Sequence, residues 1–388
     1  QEMDGLIAAL LVGGIAGWLA GNIMKGKGQG VVMNIVIGII GGGQLGRMTA
    51  LAASELGYDV HIFTPEADSP ASRVAAKTTL AAYDDQLALA DFAAQVDVVT
   101  FEFENIPYQS VRLLADRLPV RPGWEALRVS QDRLVEKEFL NKLGIATAPY
   151  RAVDSLEDLA RAAIEVGRPA VLKTTRMGYD GKGQTRVDQD TDLSEAYTVL
   201  GGRPGILEGF IAFEREISVV VARGLNGETK AFAPSWNVHR NHILHTSSVP
   251  ANISPDLARE AESRAAQVAV GLDLVGLLAV EYFVTPDGRL LANEIAPRPH
   301  NSGHWTMDAC PQGQFHQFVR AITGLALADP ERHSDVEMTN LIGDEADAWA
   351  ELAAEANVIP HFYGKREARP GRKMGHVNRL FPRLLPKS

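Results

Sequence analysis

The run LLAVEYFVTPDGRLLANE, from Leu277 to Glu294, constrains the fold more than any other stretch. Two β-rich apolar runs flank TPDG, where Pro286 and Gly288 set a turn, so the segment reads as a β-hairpin. Each run carries one acid, and the hairpin sets Glu281 and Glu294 side by side. The chain continues as IAPRPHNSGHW, which adds Arg298, Asn301, Ser302 and His304 at once. Paired carboxylates beside Asn293 and Arg298 supply the hard oxygen ligands that Mg²⁺ accepts when it also holds phosphates. A surface hairpin with solvated acids is the plainer alternative, but it would seldom lead into so many convergent polar groups.

At 388 residues with a globular apolar fraction, the chain is long enough for two or three domains with sizeable cores. The single cysteine, Cys310, excludes an internal disulfide and a thiolate metal cage, and fits a small buried hydrophobe in a reducing compartment. The catalytic domains are therefore expected in the cytoplasm. A net charge of −10 argues against a nucleic-acid footprint, so any anionic ligand must be held by local basic groups.

The N-terminus departs from this pattern. Gly5 to Met24 carries no charge and is long enough to cross a bilayer as a helix; Gly13, Gly17 and Gly21 recur at close-packing spacing, and Lys25 and Lys27 follow. Glu2 and Asp4 in front do not fit a signal peptide. The segment GWLAGNIMKGKGQG resembles the opening of the YeaQ-like, transglycosylase-associated membrane proteins over this one helix. Met33 is a plausible native start, so residues 1–32 are expected to be an appended hydrophobic helix from a fusion or misjoined frame, without a catalytic role. Membrane contact, if used, would be a tether through residues 5–24.

Residues 33–125 read as an α/β, Rossmann-like domain. Gly41, Gly43 and Gly46 form G-x-G-x-x-G between a strand and a helix, a weak phosphate-loop signal by itself. The next strand ends in Phe63-Thr64-Pro65 without the ribose-binding acid of a dinucleotide site, and Glu66 lies beyond. VDVVTFEFENIP puts Glu102, Glu104 and Asn105 at the carboxyl end of a further strand, where open parallel sheets bind ligands.

A charged amphipathic helix, SQDRLVEKEFLNKLG, follows and stops at Gly144. RPAVLKTTRMGYDGKGQTRV then places Lys173 at a strand end ahead of a loop with Gly178, Gly181 and Gly183. It is not a Walker sequence, yet glycine backbone over phosphates with a lysine for charge follows the same logic. Glu208 ends another apolar run and Glu216 precedes a strand; spacing alone does not decide between a purine pocket and solvated edge charges. His239, His242 and His245 share one polar stretch, but their β-rich surroundings and the lack of a further His or Cys cluster argue against zinc.

The order of these parts resembles the ATP-grasp superfamily and, within it, the 5-(carboxyamino)imidazole ribonucleotide synthetases, bicarbonate-using ligases of purine biosynthesis. FEFENIP, GYDGKGQ, APRPHNSGHWT and YGKREARPGRKMGH carry the resemblance, which spans about Ile37 to Leu380. It implies an α/β and α+β chain: a Rossmann-like domain, an ATP-grasp domain at 126–325 with a lid at about 135–210, and a small C-terminal domain at 326–388 closing over the acceptor. Gly364, Gly371 and Gly375 suggest ordered turns in that basic tail rather than a solvated arm.

Carried over by position, the resemblance makes Arg133 and Lys173 phosphate ligands of the substrate ATP, covered by Gly178, Tyr179, Asp180, Gly181, Lys182, Gly183 and Gln184. Glu208, Gly209, Phe210 and Ile211 would hold adenine and Glu216 the ribose, with His239, Asn293 and Glu294 also at nucleotide positions. Glu281 and Glu294 match the metal acids for two Mg²⁺ ions, which Mn²⁺ can replace; Ala296 stands where many ATP-grasp enzymes have a further asparagine ligand. Gln44, Leu45, Glu102, Asn105, Tyr179, Arg298, Asn301, Ser302 and His304 would face the acceptor, with Lys365 and Arg372 as its phosphate clamp. Asp180, Lys182 and Arg298 are the expected catalytic groups, Asp180 handling the amine proton. The family reading also implies a homodimer. Another ATP-grasp ligase acting on a different acceptor would share the nucleotide site. A nicotinamide-dependent oxidoreductase explains GGGQLG but not Lys173, Glu281 or Glu294, and a membrane-tethered nucleotide-binding regulator explains the N-terminal helix without turnover.

Overall fold

The computed structural model describes residues 35–178 and 183–383. The appended helix expected at residues 1–32 and the loop residues Tyr179, Asp180, Gly181 and Lys182 lie outside the described residues. Among the described residues no helix is long and apolar enough to cross a membrane.

The first sheet is parallel: β1 (Val36–Ile40), β2 (Asp59–Thr64), β3 (Lys77–Leu80) and β4 (Val98–Phe101), in the order β3-β2-β1-β4. β1 and β4, VIGII and VVTF, are almost wholly buried, as strands covered on both faces must be. The helix Gln44–Glu55 returns the chain from β1 to β2. A second, antiparallel sheet holds β5 (Tyr150–Val153), β6 (Ala170–Thr174), β7 (Gln184–Val187) and β8 (Gly205–Gly209), in the order β5-β8-β6-β7. The helix Leu156–Val166 covers it, its N-cap Ser155 hydroxyl accepting from the Asp158 N–H at 3.1 Å.

The central sheet has nine strands: β9 (Arg215–Arg223), β10 (Thr229–Ala231), β11 (Ser235–Arg240), β12 (Ile243–Val249), β13 (Gly276–Val284), β14 (Leu290–Ala296), β15 (Ser334–Ile342), β16 (Val358–Phe362) and β17 (Lys373–Pro382). Their order is β14-β13-β9-β11-β12-β15-β17-β16, with β10 on β9. The tail strands thus hydrogen-bond onto β12 and extend the central sheet.

Strand alternation assigns the two faces. Val219, Val221, Leu278 and Val280 join the core beneath the helix Pro255–Gly271, each buried side chain contributing about 1.5–3 kcal/mol. The other face begins apolar, with Ala222, Val220, Leu277 and Ala279 in the core with Phe315 and Phe318 of the helix Gln314–Thr323. Two residues further along, the same face turns polar, at Ser218 and Glu216 on β9 and Glu281 on β13. That change of character along one face locates the site.

Candidate active site

Glu281 and Glu294 are direct partners across the β13–β14 hairpin, as its turn chemistry predicts. The register slips between Glu281 and Tyr282, so that Tyr282 pairs with Ala292 and Asn293 is the extra residue of a bulge. A bulge re-aims side chains that strict alternation would send to opposite faces. Burial and then the neighbouring Glu294 charge push the Glu281 carboxyl up to about 8. Two opposed hard-oxygen donors that resist ionising together fit a divalent cation of the Mg²⁺ type, which would relieve their repulsion.

The helix Arg133–Lys142 supplies the facing wall, capped by the Asp132 carboxylate accepting from the N–H groups of Leu134 and Val135. Arg133 lies 3.6 Å from Glu294 Oε2 and donates to the Gly178 carbonyl at 3.3 Å, tying the paired acids to the glycine loop. Glu136 accepts from the Ile295 N–H at 2.6 Å, and its carboxyl is pushed up to about 8 by burial and by Glu294. Lys137 lies 3.4 Å from Glu208 Oε2. Glu136 and Lys137 were not singled out in the sequence, although i, i+3, i+4 spacing from Arg133 puts all three on one helix face. Glu136 and Lys137 are ionisable yet almost fully buried, which only the partners explain.

Lys173, at the end of β6, donates to the same Glu208 oxygen at 3.0 Å. Burial alone would raise the Glu208 carboxyl, but Lys173, Lys137 and Arg133 hold it down to about 2. Gly209 ends β8 and Phe210 continues past it, with their N–H groups bonded to the Pro149 and Pro169 carbonyls; the Phe210 ring is partly exposed, with Arg186 4.6 Å above it. His239 Nδ1 lies 2.5 Å from Glu216 Oε2 as an ion-pair contact. Burial disfavours the imidazolium, yet the Glu216 bond and charge win and the His239 pKa is raised. His242, by contrast, sits in the β11–β12 turn with a left-handed backbone.

The segment after β14 lies over the polar face, and its residues split. Arg298 pairs with Glu104 and stays beside the acids, its charge also acting on Glu102. His300, absent from the sequence-derived set, reaches Glu281 Oε1 with Nε2 at 3.5 Å while Nδ1 meets the Ser302 hydroxyl at 2.8 Å. Burial and the Arg298 charge keep His300 neutral, well below its usual range. Ser302, His304 and Asn301 turn inward instead. Ser302 Oγ accepts from the Ser218 hydroxyl at 2.6 Å, Asn301 exchanges hydrogen bonds with Asn340 at 2.9 and 2.8 Å, and the fully buried His304 stacks on His376 at 4.7 Å. The three therefore brace the segment from behind rather than opening toward a ligand.

On the other side of Arg298 stands the first glycine turn. Glu102 accepts from the N–H groups of Gly43 and, at 2.7 Å, of Gly46, and a Cβ on Gly43 would come within 2.7 Å of its Oε1. The backbone donors that a dinucleotide phosphate would need are thus already taken by an internal carboxylate. Burial still raises the Glu102 carboxyl despite those two donors. Lys365 arrives from the tail and donates to Gln44 Oε1 at 2.5 Å and to the Lys373 carbonyl at 2.7 Å. Burial, then the charges of Arg372 and Lys373, lower it to about 8. Arg372 itself is held by the Glu367 carbonyl at 3.0 Å. Leu45 follows Gln44 at the start of the helix Gln44–Glu55, and Asn105 is exposed past β4. Residues more than 320 positions apart meet here through the Lys365–Gln44 bond.

The ATP-grasp domain family matches residues 138–315, the ribonucleotide synthetase preATP-grasp domain residues 33–131, and the phosphoribosylaminoimidazole carboxylase C-terminal domain residues 337–383. The chain is 50% identical over 351 residues to the N5-carboxyaminoimidazole ribonucleotide synthase of Brucella melitensis biotype 1, covering 90% of this chain and 97% of that protein. It is 44% identical to the Bacillus subtilis enzyme of the same name, over 88% of this chain and 90% of that one. Among solved structures, the N5-carboxyaminoimidazole synthase of Aspergillus clavatus in complex with ADP and 5-aminoimidazole ribonucleotide superposes with a TM-score of 0.85 at 30% identity, covering 90% of this chain and 95% of that chain. The ADP complex of the Staphylococcus aureus enzyme gives a TM-score of 0.85 at 38% identity, covering 90% and 95%.

Proposed function

The chain belongs to the N5-carboxyaminoimidazole ribonucleotide synthase family of ATP-grasp ligases, and on that premise we propose how its residues divide the work of the reaction. The reaction is the ATP- and bicarbonate-dependent carboxylation of 5-aminoimidazole ribonucleotide, releasing ADP and phosphate, in purine biosynthesis. Bicarbonate is activated as carboxyphosphate, and the exocyclic amine of the acceptor captures the carboxyl group.

Arg133 and Lys173 neutralise the ATP phosphates under the loop Gly178 to Gln184. Glu208 to Ile211 hold adenine and Glu216 the ribose, with His239 and Asn293 alongside. Glu281 and Glu294 would hold the Mg²⁺, in our reading two ions that Mn²⁺ can replace, and the metal would supply charge neutralisation at the transferring phosphoryl group. Arg298 stands where the two halves of the reaction meet, with the metal acids on one side and Glu102 and Glu104 on the other. Gln44, Leu45, Glu102 and Asn105 line the acceptor side with Asn301, Ser302 and His304 behind, while Lys365 and Arg372 clamp its phosphate. Asp180 takes the amine proton, aided by Lys182, and Tyr179 approaches the acceptor. Exclusion of water protects carboxyphosphate, a task for the glycine loop. The working form is a homodimer in the cytoplasm; residues 1–32 are an appended segment that the reaction does not need, and any membrane contact would run through residues 5–24.

The single observation that supports this reading best is Arg298 set between opposed Glu281 and Glu294 and the Glu102 and Glu104 pair. A coupled assay tests it: ADP release should require both bicarbonate and 5-aminoimidazole ribonucleotide, with ¹³C-bicarbonate NMR showing carbamate product. ADP release that ignores the ribonucleotide but responds to another amine or carboxylate acceptor would assign the chain to a different ATP-grasp ligation.

A further inference from the structure

Two lysines share one carboxylate oxygen and differ in their freedom to leave it. Lys173 Nζ donates to Glu208 Oε2 at 3.0 Å and its side chain keeps 15% of its surface exposed. Lys137 Nζ lies 3.4 Å from the same oxygen with only 1% exposed. The Lys137 ammonium has no hydrogen-bond partner among the described residues, and neither has Glu208 Oε1, which is also buried. A charge in such a place is costly unless it serves a partner that cannot do without it.

Charge counting shows what the second lysine adds. Glu208 with Lys173 alone is neutral, so a phosphate that draws Lys173 away leaves a bare carboxylate in the interior. With Lys137 in place the trio carries one net positive charge, and Lys173 can turn to a phosphate while Glu208 stays paired. Lys137 projects from the interior face of the helix Arg133–Lys142, between Glu136 and the core residue Leu140, and has no open path to a ligand.

We propose that Lys137 is a positioning residue for the nucleotide: the fixed counter-cation that keeps Glu208 ionised and in place when Lys173 moves to the ATP phosphates, leaving Glu208 Oε1 free to accept from the exocyclic amine of adenine. This rests on the reading that Lys173 and Glu208 meet ATP. Lys137 itself touches neither ATP nor the acceptor.

The test is a double-mutant cycle on the full chain, with ATP affinity measured by calorimetry and both KM values by steady-state kinetics. Lys137→Met should raise the Kd for ATP roughly tenfold or more, since losing one partner of a buried pair is felt in full. The acceptor KM should stay near that of the parent. In a Glu208→Gln background, the same Lys137→Met change should alter the Kd for ATP by less than about twofold, because the charge it serves is gone. An unchanged Kd in the single variant, an equal effect in both backgrounds, or a parallel rise in both KM values overturns the proposal. If Lys137→Met alone does not fold, the double variant decides: folding with the ATP affinity of Glu208→Gln supports the pairing, and failure to fold overturns it. Wild-type ATP affinity in both Glu208→Gln and Lys173→Met would instead show that ATP binds elsewhere, a failure of the underlying reading that the cycle separates from failure of the Lys137 role.

Discussion

The two glycine-rich turns of this chain look alike in sequence and stand in opposite electrostatic settings. The first, Gly41 to Gly46, closes its backbone N–H groups on the Glu102 carboxylate. At the second, Gly178 offers its carbonyl to Arg133, while Lys173 stands five residues upstream on Glu208. Glycine permits a close approach in either place, but it does not say what approaches; the charged residue brought in from elsewhere decides that. An acid at the first turn makes it a fixed structural joint beside the proposed acceptor site. Cations at the second leave it suited to a polyphosphate.

The largest way to break this contrast is at the proposed metal acids beside the second turn. Glu294→Gln removes one of the two opposed carboxylates while keeping shape, so ADP formation should fall by orders of magnitude with the melting curve intact. Near-normal turnover would mean that the hairpin does not serve the nucleotide.

Next in size is the acceptor side. Arg372→Ala removes a charge-assisted contact to the proposed ribonucleotide phosphate, about 1.5–3 kcal/mol, or a roughly ten- to hundredfold rise in acceptor KM. The KM for ATP should hardly move. Steady-state kinetics with each substrate varied in turn checks this, and equal rises in both constants would assign the tail to fold stability alone.

The hairpin, the opposition of Glu281 and Glu294, the strand ending in Lys173 and the placement of Glu102 at the tip of β4 were all legible, because period-two patterning and turn residues are local signals. The bulge at Asn293 was not, since a register slip has no local mark in NEIA. Nor was the burial of Lys137: a lysine on an amphipathic helix reads as solvated until Glu208, 71 positions away, comes to meet it. The inward turn of His304 has the same cause, because its stacking partner His376 belongs to a strand 72 residues on, in a tail whose ladder onto β12 depends on long-range pairing.

A third test sharpens the contrast through pH. Burial and neighbouring cations lower the Lys365 pKa from 10.5 to about 8. Below about 8 the ammonium is charged and can hold a phosphate; above it the folded protein releases the proton while an unfolded chain would keep it until 10.5. Protein stability should therefore rise slightly across that window, whereas acceptor affinity should fall, with acceptor KM increasing roughly tenfold from pH 7 to pH 9. The profile of KM for ATP should lack this limb, and Lys365→Arg, which stays charged, should flatten the acceptor profile.

The smallest effect expected is at the first turn itself, where the role of glycine can be isolated. Gly43 has φ −81° and ψ −159°, a backbone that any residue adopts, so an alanine there meets no conformational penalty. Its one obstacle is Glu102, whose Oε1 would lie 2.7 Å from the new Cβ and whose bond to the Gly43 N–H would be stretched. Gly43→Ala should therefore lower stability by about 1–2 kcal/mol, the scale of a damaged buried hydrogen bond plus a forced shift. Gly57→Ala gives the opposite control, because Gly57 has φ +83° with nothing within 4 Å of an added Cβ, so its cost is backbone strain alone. Shortening the acid separates the two: Glu102→Asp withdraws the carboxylate and should recover most of the loss in Gly43→Ala while leaving that of Gly57→Ala untouched. Thermal melting of the two single variants and their Glu102→Asp combinations reads this directly. Equal loss at Gly43 with and without the shortened acid would show that the turn needs glycine for its own path and not for the carboxylate it encloses.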